Sequence, residues 1–204
     1  MLDFWKTSAR LGDRLGILSA AFNPPTLAHL EMARSAAPLD EVLFLLPRAF
    51  PHKPYTGAGF EDRLDMLSAA LADQPQFSIG STDGGLFIEI ARECRPVYGP
   101  AADFFFLCGR DAAERIVNWD YSGDIPFGEQ LREFQMLVAP RSGPYLPPPA
   151  LADRIHRLDL PRGLEACSSS AVRDSIAQGR DWRHLVPVPV AELIHRRHLY
   201  DPRP

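Results

Sequence analysis

Three clusters of residues carry the chemistry open to this chain. Thr26 and His29 stand three residues apart, just after Asn23-Pro24-Pro25. On a helix that spacing turns a hydroxyl and an imidazole to one side, and both groups bond well to phosphate oxygens. Ser168-Ser169-Ser170 with Arg173 is the second cluster. Three serines ahead of a helical run supply capping hydroxyls, and the arginine shares a face with Ser169 and Ser170. A cation in a helix's first turn is disfavoured by roughly 0.3–1 kcal/mol against the macrodipole, and a bound anion reverses that sign. The third cluster is Arg48, His52 and Lys53 in a proline-bounded loop. Together they are donors and cations without a nucleophile–base pair. Each also has a plain alternative: a helix cap beside a surface histidine, a serine cap with a solvated arginine, and a solvated lysine.

Composition narrows the field. The chain has 204 residues, long enough for one substantial core, with 46% hydrophobic and 24% charged residues and a formal net charge of −4. A mildly acidic chain is a poor general nucleic-acid binder, because that affinity comes from clustered Lys and Arg; any phosphate site must be local. No apolar run approaches the ~20 residues needed to cross a bilayer, and no signal-peptide pattern opens the chain. A cytoplasmic protein without a membrane partner is the expectation. Cys94, Cys108 and Cys167 lack zinc-like or redox-like spacing and read as reduced packing residues. Nothing in the sequence specifies an oligomeric state.

The elements that must present these groups follow from periodicity. Leu15–Phe22 is a mixed apolar and small run suited to a buried strand, broken by Asn23-Pro24-Pro25. Thr26–Ala36 then reads as a helix, capped by Thr26 or Asn23. Glu41–Pro47, Phe77–Thr82, Asp103–Cys108, Gln135–Ala139 and Ile155–Leu160 read as strands. Phe60–Ala72, Leu86–Cys94, Asp111–Val117, Phe127–Phe134, Ser168–Ala177 and Val190–His198 read as helices. Strand is not excluded for Leu86–Cys94, and residues 1–14 are a polar lead-in of open structure. Strand and helix alternate throughout, which predicts an α/β, Rossmann-like, doubly wound and mainly parallel sheet with helices on both faces. The whole of 1–204 is expected to form a single domain, with 160–204 a C-terminal helical part. In this class ligands bind beyond the carboxyl ends of the strands. Ser19-Ala20-Ala21-Phe22-Asn23 lacks the three-glycine dinucleotide fingerprint, so ordinary hydride transfer is not expected.

Phe22-Asn23-Pro24-Pro25-Thr26-Leu27-Ala28-His29 resembles the first signature of the adenylyltransferase–cytidylyltransferase superfamily, and Ser168-Ser169-Ser170-Ala171-Val172-Arg173 resembles its second. Further stretches are similar to the nicotinate/nicotinamide mononucleotide adenylyltransferases. They are Pro51-His52-Lys53 followed by Arg63-Leu64-Asp65-Met66-Leu67, Gly109-Arg110-Asp111 with Trp119, and Leu185-Val186-Pro187 through Tyr200. The resemblance implies transfer of the adenylyl group of ATP to a pyridine mononucleotide, with magnesium accompanying ATP and no protein-bound metal. It implies that His29 contacts the α-phosphate and that Thr26, with the backbone of Ala21 and Phe22, approaches the ATP phosphates. Ser169, Ser170 and Arg173 would hold the β- and γ-phosphates, and Lys53 would reach phosphate from its loop. Gly109 and Asp111 would line the ribose side of ATP, and Trp119 would stack on the pyridine.

Departures are equally specific. Ala20, Ala21 and Ala28 stand where family members carry glycine or a hydroxyl residue. Asp83-Gly84-Gly85-Leu86-Phe87 lacks the Ser-Tyr-Thr run with which bacterial nicotinate enzymes help select the pyridine carboxylate. Two other readings remain open: a related transferase with another phosphorylated acceptor such as phosphopantetheine, and a nucleotide-binding module without catalysis.

Overall fold

The protein is described by a computed structural model that covers residues 1–8, 12–36, 38–50, 55–121, 125–140, 143 and 145–201. Its strands are Asp3–Lys6 (β1), Arg14–Ser19 (β2), Glu41–Pro47 (β3), Phe77–Thr82 (β4), Asp103–Gly109 (β5), Gln135–Ala139 (β6) and Ile155–Arg157 (β7). Its helices are Leu27–Ser35 (α1), Phe60–Ala70 (α2), Phe87–Tyr98 (α3), Arg110–Val117 (α4), Phe127–Gln130 (α5), Ser169–Ala177 (α6) and Val188–Arg196 (α7). The strands form one sheet in the order β1-β4-β3-β2-β5-β6-β7, parallel apart from β1, which pairs antiparallel with β4.

Hydrophobic alternation settles which face each helix covers. Val42, Phe44 and Leu46 of β3 and Phe105 and Leu107 of β5 pack with α1, α2, α6 and α7. The intervening Leu43, Leu45, Phe104, Phe106 and Cys108 pack with α3, α4 and α5. Because both faces are buried, β3 reads as an unbroken apolar run rather than an alternating one. Right-handed crossovers put α1 and α2 on one face as the chain winds outward from β2. The connection through α3 then returns past β3 and β2 to β5, placing α3 and α4 on the other face. Winding direction therefore reverses between β2 and β5, whose carboxyl ends leave the sheet side by side with Ile17 opposite Phe106. A crevice opens at such a reversal.

The sequence expectations hold for the sheet and need correction at several ends. The opening strand stops at Ser19 instead of Phe22: Ala20 still donates to the Leu45 carbonyl at 3.3 Å, but Phe22 adopts φ 46°, which ends extended structure. The unassigned lead-in supplies β1, which shields the β4 edge. Leu86–Cys94 is helical and runs on through Pro96 to Tyr98, where Gly99 at φ 92° ends it. Phe127–Phe134 forms only the short α5, with the side chain of Gln130 bonded back to the Ile125 carbonyl at 2.7 Å. The last strand ends at Arg157, and the final helix begins at Val188, two residues early, behind Pro187.

Candidate active site

The turn from Ala20 to Thr26 lies at the carboxyl end of β2, and five separate contacts fix its shape. Thr26 is fully buried and caps α1 in extended conformation. His29, in the first turn, accepts the Thr26 backbone N–H on Nδ1 at 3.0 Å, and Nδ1 lies 2.8 Å from Thr26 Oγ1. An accepting Nδ1 places the proton of a neutral imidazole on Nε2. The Phe22 ring packs edge-on against the imidazole at 5.2 Å between centroids. Asn23 is not the cap. Its side chain donates to the Thr56 carbonyl at 2.8 Å and accepts the Ala58 N–H at 3.1 Å, tying the 55–59 segment to the turn. Gly57 makes that approach possible: at φ 135°, a Cβ there would stand 2.1 Å from Asn23 Nδ2.

Two guanidinium groups grip the same turn. Arg173 donates to the Asn23 carbonyl at 2.6 Å and to Ser170 Oγ at 3.3 Å, and Ser169 Oγ donates to the Pro24 carbonyl at 2.8 Å. The tip of α6 is thus fastened to the tip of α1 across some 145 residues of sequence. Ser168 serves the helix itself, accepting the Ala171 N–H at 3.1 Å. Arg63 of α2 donates to the Ala21 carbonyl at 3.0 Å from a position only 4% exposed. Its guanidinium lies 4.6 Å from the centre of the Tyr55 ring, and burial holds its pKa below the ordinary arginine value. Burial likewise pushes the Tyr200 hydroxyl up, and neither that hydroxyl nor Arg63 Nε has a hydrogen-bond partner among the described residues.

A trans peptide points its C=O and N–H in opposite directions. Arg63 draws the Ala21 carbonyl inward, so the Phe22 N–H is turned the other way, and no described residue accepts it. No carboxylate pairs with Arg63 or Arg173 among the described residues. The turn is accordingly a positively biased cradle of N–H groups, suited to an anion.

A small cavity of about 150 Å³ adjoins the turn at the switch point. Ala20 and Ala21, Phe87 from the start of α3, and Ala112, Arg115 and Ile116 of α4 are among the residues that line it. Gly109 caps α4, placing Asp111 in its first turn as an exposed acid. Trp119 follows α4 and is 39% exposed; it does not line this cavity. The structure therefore brings Ala21, Phe22, Thr26, His29, Ser169, Ser170 and Arg173 together around one turn. Gly109 and Asp111 sit on the neighbouring strand end, and Lys53 lies outside the described residues. Arg63 beneath the turn and Arg115 at the cavity wall are not among the site residues expected from the sequence. The signal for Arg63 was present, since a cation three residues after Phe60 and four before Leu67 falls on the apolar stripe of α2.

A crevice at the switch point of a parallel sheet, with two helix tips joined beside it, defines a class, and comparison supplies its name. A family model described as cytidylyltransferase-like matches residues 17–175, and the chain belongs to that family. Within it, full-length relatives share one activity name. A probable nicotinate-nucleotide adenylyltransferase of Exiguobacterium sibiricum is 32% identical over 92% of this chain and 98% of its own. The protein of that same name from Gloeobacter violaceus is 32% identical over 94% of this chain and 98% of its own. Among solved structures, Plasmodium falciparum nicotinic acid mononucleotide adenylyltransferase complexed with NaAD superposes with a TM-score of 0.74. The match spans 93% of this chain and 98% of that one at 17% identity, a likeness of fold.

Proposed function

We propose that this protein is a nicotinate-nucleotide adenylyltransferase, joining ATP and nicotinate mononucleotide to give the dinucleotide and pyrophosphate in NAD biosynthesis. The observation that carries the reading is the junction of Ser169 and Arg173 with Pro24 and Asn23, two and three residues before Thr26. That junction puts cationic and hydroxyl donors of α6 on the same anion cradle as the tip of α1. The relatives' names and the fold of NaAD-complexed enzyme support the same reaction.

In this reaction a phosphate oxygen of the mononucleotide attacks the α-phosphorus of ATP. The new P–O bond forms as the bond to the β-phosphate oxygen breaks, and pyrophosphate departs with the electron pair. The nucleophile is already ionised at neutral pH, so alignment and charge stabilisation do the catalytic work. His29 offers its Nε2 proton to the α-phosphate, held in orientation by the Nδ1 bond to Thr26. Arg173 keeps further N–H donors beyond those it uses on Asn23 and Ser170, and it takes the β- and γ-phosphates with the Ser170 hydroxyl and the Ser169 backbone N–H, the Ser169 hydroxyl being engaged on the Pro24 carbonyl. Phe22 contributes its outward N–H. Gly109 and Asp111 are assigned to the ATP ribose, Trp119 to the acceptor and Lys53 to phosphate.

Magnesium enters as the ATP complex. The phosphate oxygens would be its main ligands; no cluster of three His, Cys, Asp or Glu side chains that could hold a metal ion occurs among the described residues. No described helix is long and apolar enough to cross a membrane. The test is pyrophosphate release and dinucleotide formation with ATP and each of nicotinate mononucleotide, nicotinamide mononucleotide and phosphopantetheine. Turnover with a pyridine mononucleotide is expected. Turnover with phosphopantetheine alone, or ATP binding without turnover on any acceptor, overturns the assignment.

A further inference from the structure

The cavity at the switch point is apolar on nearly every side. Ala20, Ala21, Phe87, Ala112 and Ile116 contribute methyl and ring surface, and Phe87 itself is stacked on Phe106 at 4.0 Å. Its volume of about 150 Å³ matches the size of an apolar cavity that accepts a single benzene ring, about 150 Å³. Arg115 is the one cation that lines it among the described residues, and no carboxylate does.

Arg115 also has no hydrogen-bond or ion-pair partner among the described residues. Glu114 beside it is bonded to Arg110 at 2.6 Å, and Asp111, one turn earlier, makes no ion pair with it. The acids of the larger cavity next door are occupied. Glu89 accepts the Gly85 and Leu86 N–H groups, Glu93 accepts from Thr82 and Gly84, and Asp83 bonds the chain's amino terminus at 2.7 Å. An apolar slot the size of one aromatic ring, with one guanidinium at its wall that no described residue pairs, selects a ring that bears a negative charge.

We propose that Arg115 is the specificity-determining residue of this chain, reading the ring carboxylate of nicotinate mononucleotide and setting preference for the acid over the amide. The inference rests on the proposed adenylyl transfer and assigns to α4 a task that Asp83–Phe87 lacks the hydroxyls to perform. A planar guanidinium meets a carboxylate through two parallel N–H bonds, whereas a carboxamide offers one acceptor oxygen and its NH2 opposes the cation. Arg115 is exposed on its outer side, so added salt weakens the preference. A plain alternative is that Arg115 only complements the dipole at the end of α4. That role would move stability and leave the acid-to-amide ratio alone.

The experiment measures kcat/KM for nicotinate and nicotinamide mononucleotides at saturating ATP, with dissociation constants for both, in the unsubstituted protein, Arg115→Gln and Arg115→Lys. A charge-assisted bond of this kind corresponds to roughly tenfold to hundredfold. Arg115→Gln is expected to lower kcat/KM and affinity for the nicotinate compound by that factor and to change the nicotinamide compound by less than about threefold. Arg115→Lys should restore part of the difference, and 0.5 M salt should shrink it. Equal losses for both compounds, or an unchanged ratio, overturn the role of Arg115 while leaving adenylyl transfer in place. Failure of the unsubstituted protein to turn over either mononucleotide overturns both proposals.

Discussion

At His29 one ring nitrogen belongs to the fold, and the proposed reaction gives the other to the chemistry. Nδ1 accepts the Thr26 N–H, so the imidazole is oriented before any ligand arrives and Nε2 is the donor it presents. A donor that meets charge developing on the α-phosphate acts on the transition state more than on bound ATP. His29→Ala is therefore expected to lower kcat by roughly 10²–10³-fold while shifting the ATP dissociation constant by only a few-fold. Steady-state kinetics with calorimetric ATP titration checks this, and comparable losses in both quantities would reduce His29 to a helix cap. At Arg63 the fold goes to more trouble, burying a guanidinium with no counter-ion among the described residues to hold the Ala21 carbonyl. A buried cation of that kind is costly, and its location beneath the 20–26 turn gives it a use if that turn takes phosphate as proposed.

At the scale of elements, three adjacent serines divide the labour of α6. Ser168 accepts the Ala171 N–H and caps the helix, whereas Ser169 reaches across to the Pro24 carbonyl. Ser168→Ala is expected to lower unfolding free energy by about 1 kcal/mol. Ser169→Ala should instead raise KM for ATP several-fold with a smaller change in Tm, because it loosens the join between α6 and the turn. Thermal melts beside ATP kinetics separate the two, and an identical profile for both variants would refute the division. That division was out of reach from sequence, where three like residues in a row offer the same hydroxyl. Other features were readable because they are local. Leu43 through Leu46 announce a strand buried on both faces, and Asn23-Pro24-Pro25 ahead of Thr26 announces a turn and a helix start. What escaped depends on distance in the chain: β1 is too short to show a period and is fixed by pairing with β4, and Arg63 finds its carbonyl in a turn 42 residues away. The alanines at 20 and 21, which looked like losses at a phosphate loop, line the wall of an apolar slot.

The whole molecule separates function from stability along the strand direction. The carboxyl ends of β2, β3 and β5 hold the 20–26 turn and the ring-sized cavity, while the amino end of β3 carries a buried acid, Glu41, only 3% exposed. Glu41 accepts from Ser78 Oγ and, at 3.2 Å, from the Tyr98 hydroxyl; Ser78 Oγ in turn accepts the Ser8 N–H at 2.8 Å. This small network ties β3, β4, α3 and the segment after β1. Burial raises the Glu41 pKa above the ordinary carboxyl value of 4.5, outweighing the two hydrogen bonds that favour the anion. The folded state then holds this proton more tightly than the unfolded chain does. Stability from this group is fully present below about pH 4.5 and is lost as pH rises through the folded pKa. Glu41→Gln cannot ionise and lacks that loss. The difference in unfolding free energy between the variant and the unsubstituted protein should therefore move in the variant's favour as pH is raised from about 4.5, and level off once the folded acid is ionised. Denaturant melts across pH 4.5–8 measure it, and a difference that stays flat with pH would show that Glu41 ionises as readily in the fold as outside it. The ratio of kcat/KM for the two mononucleotides should not follow that curve, since Glu41 sits at the opposite end of the sheet from Arg115.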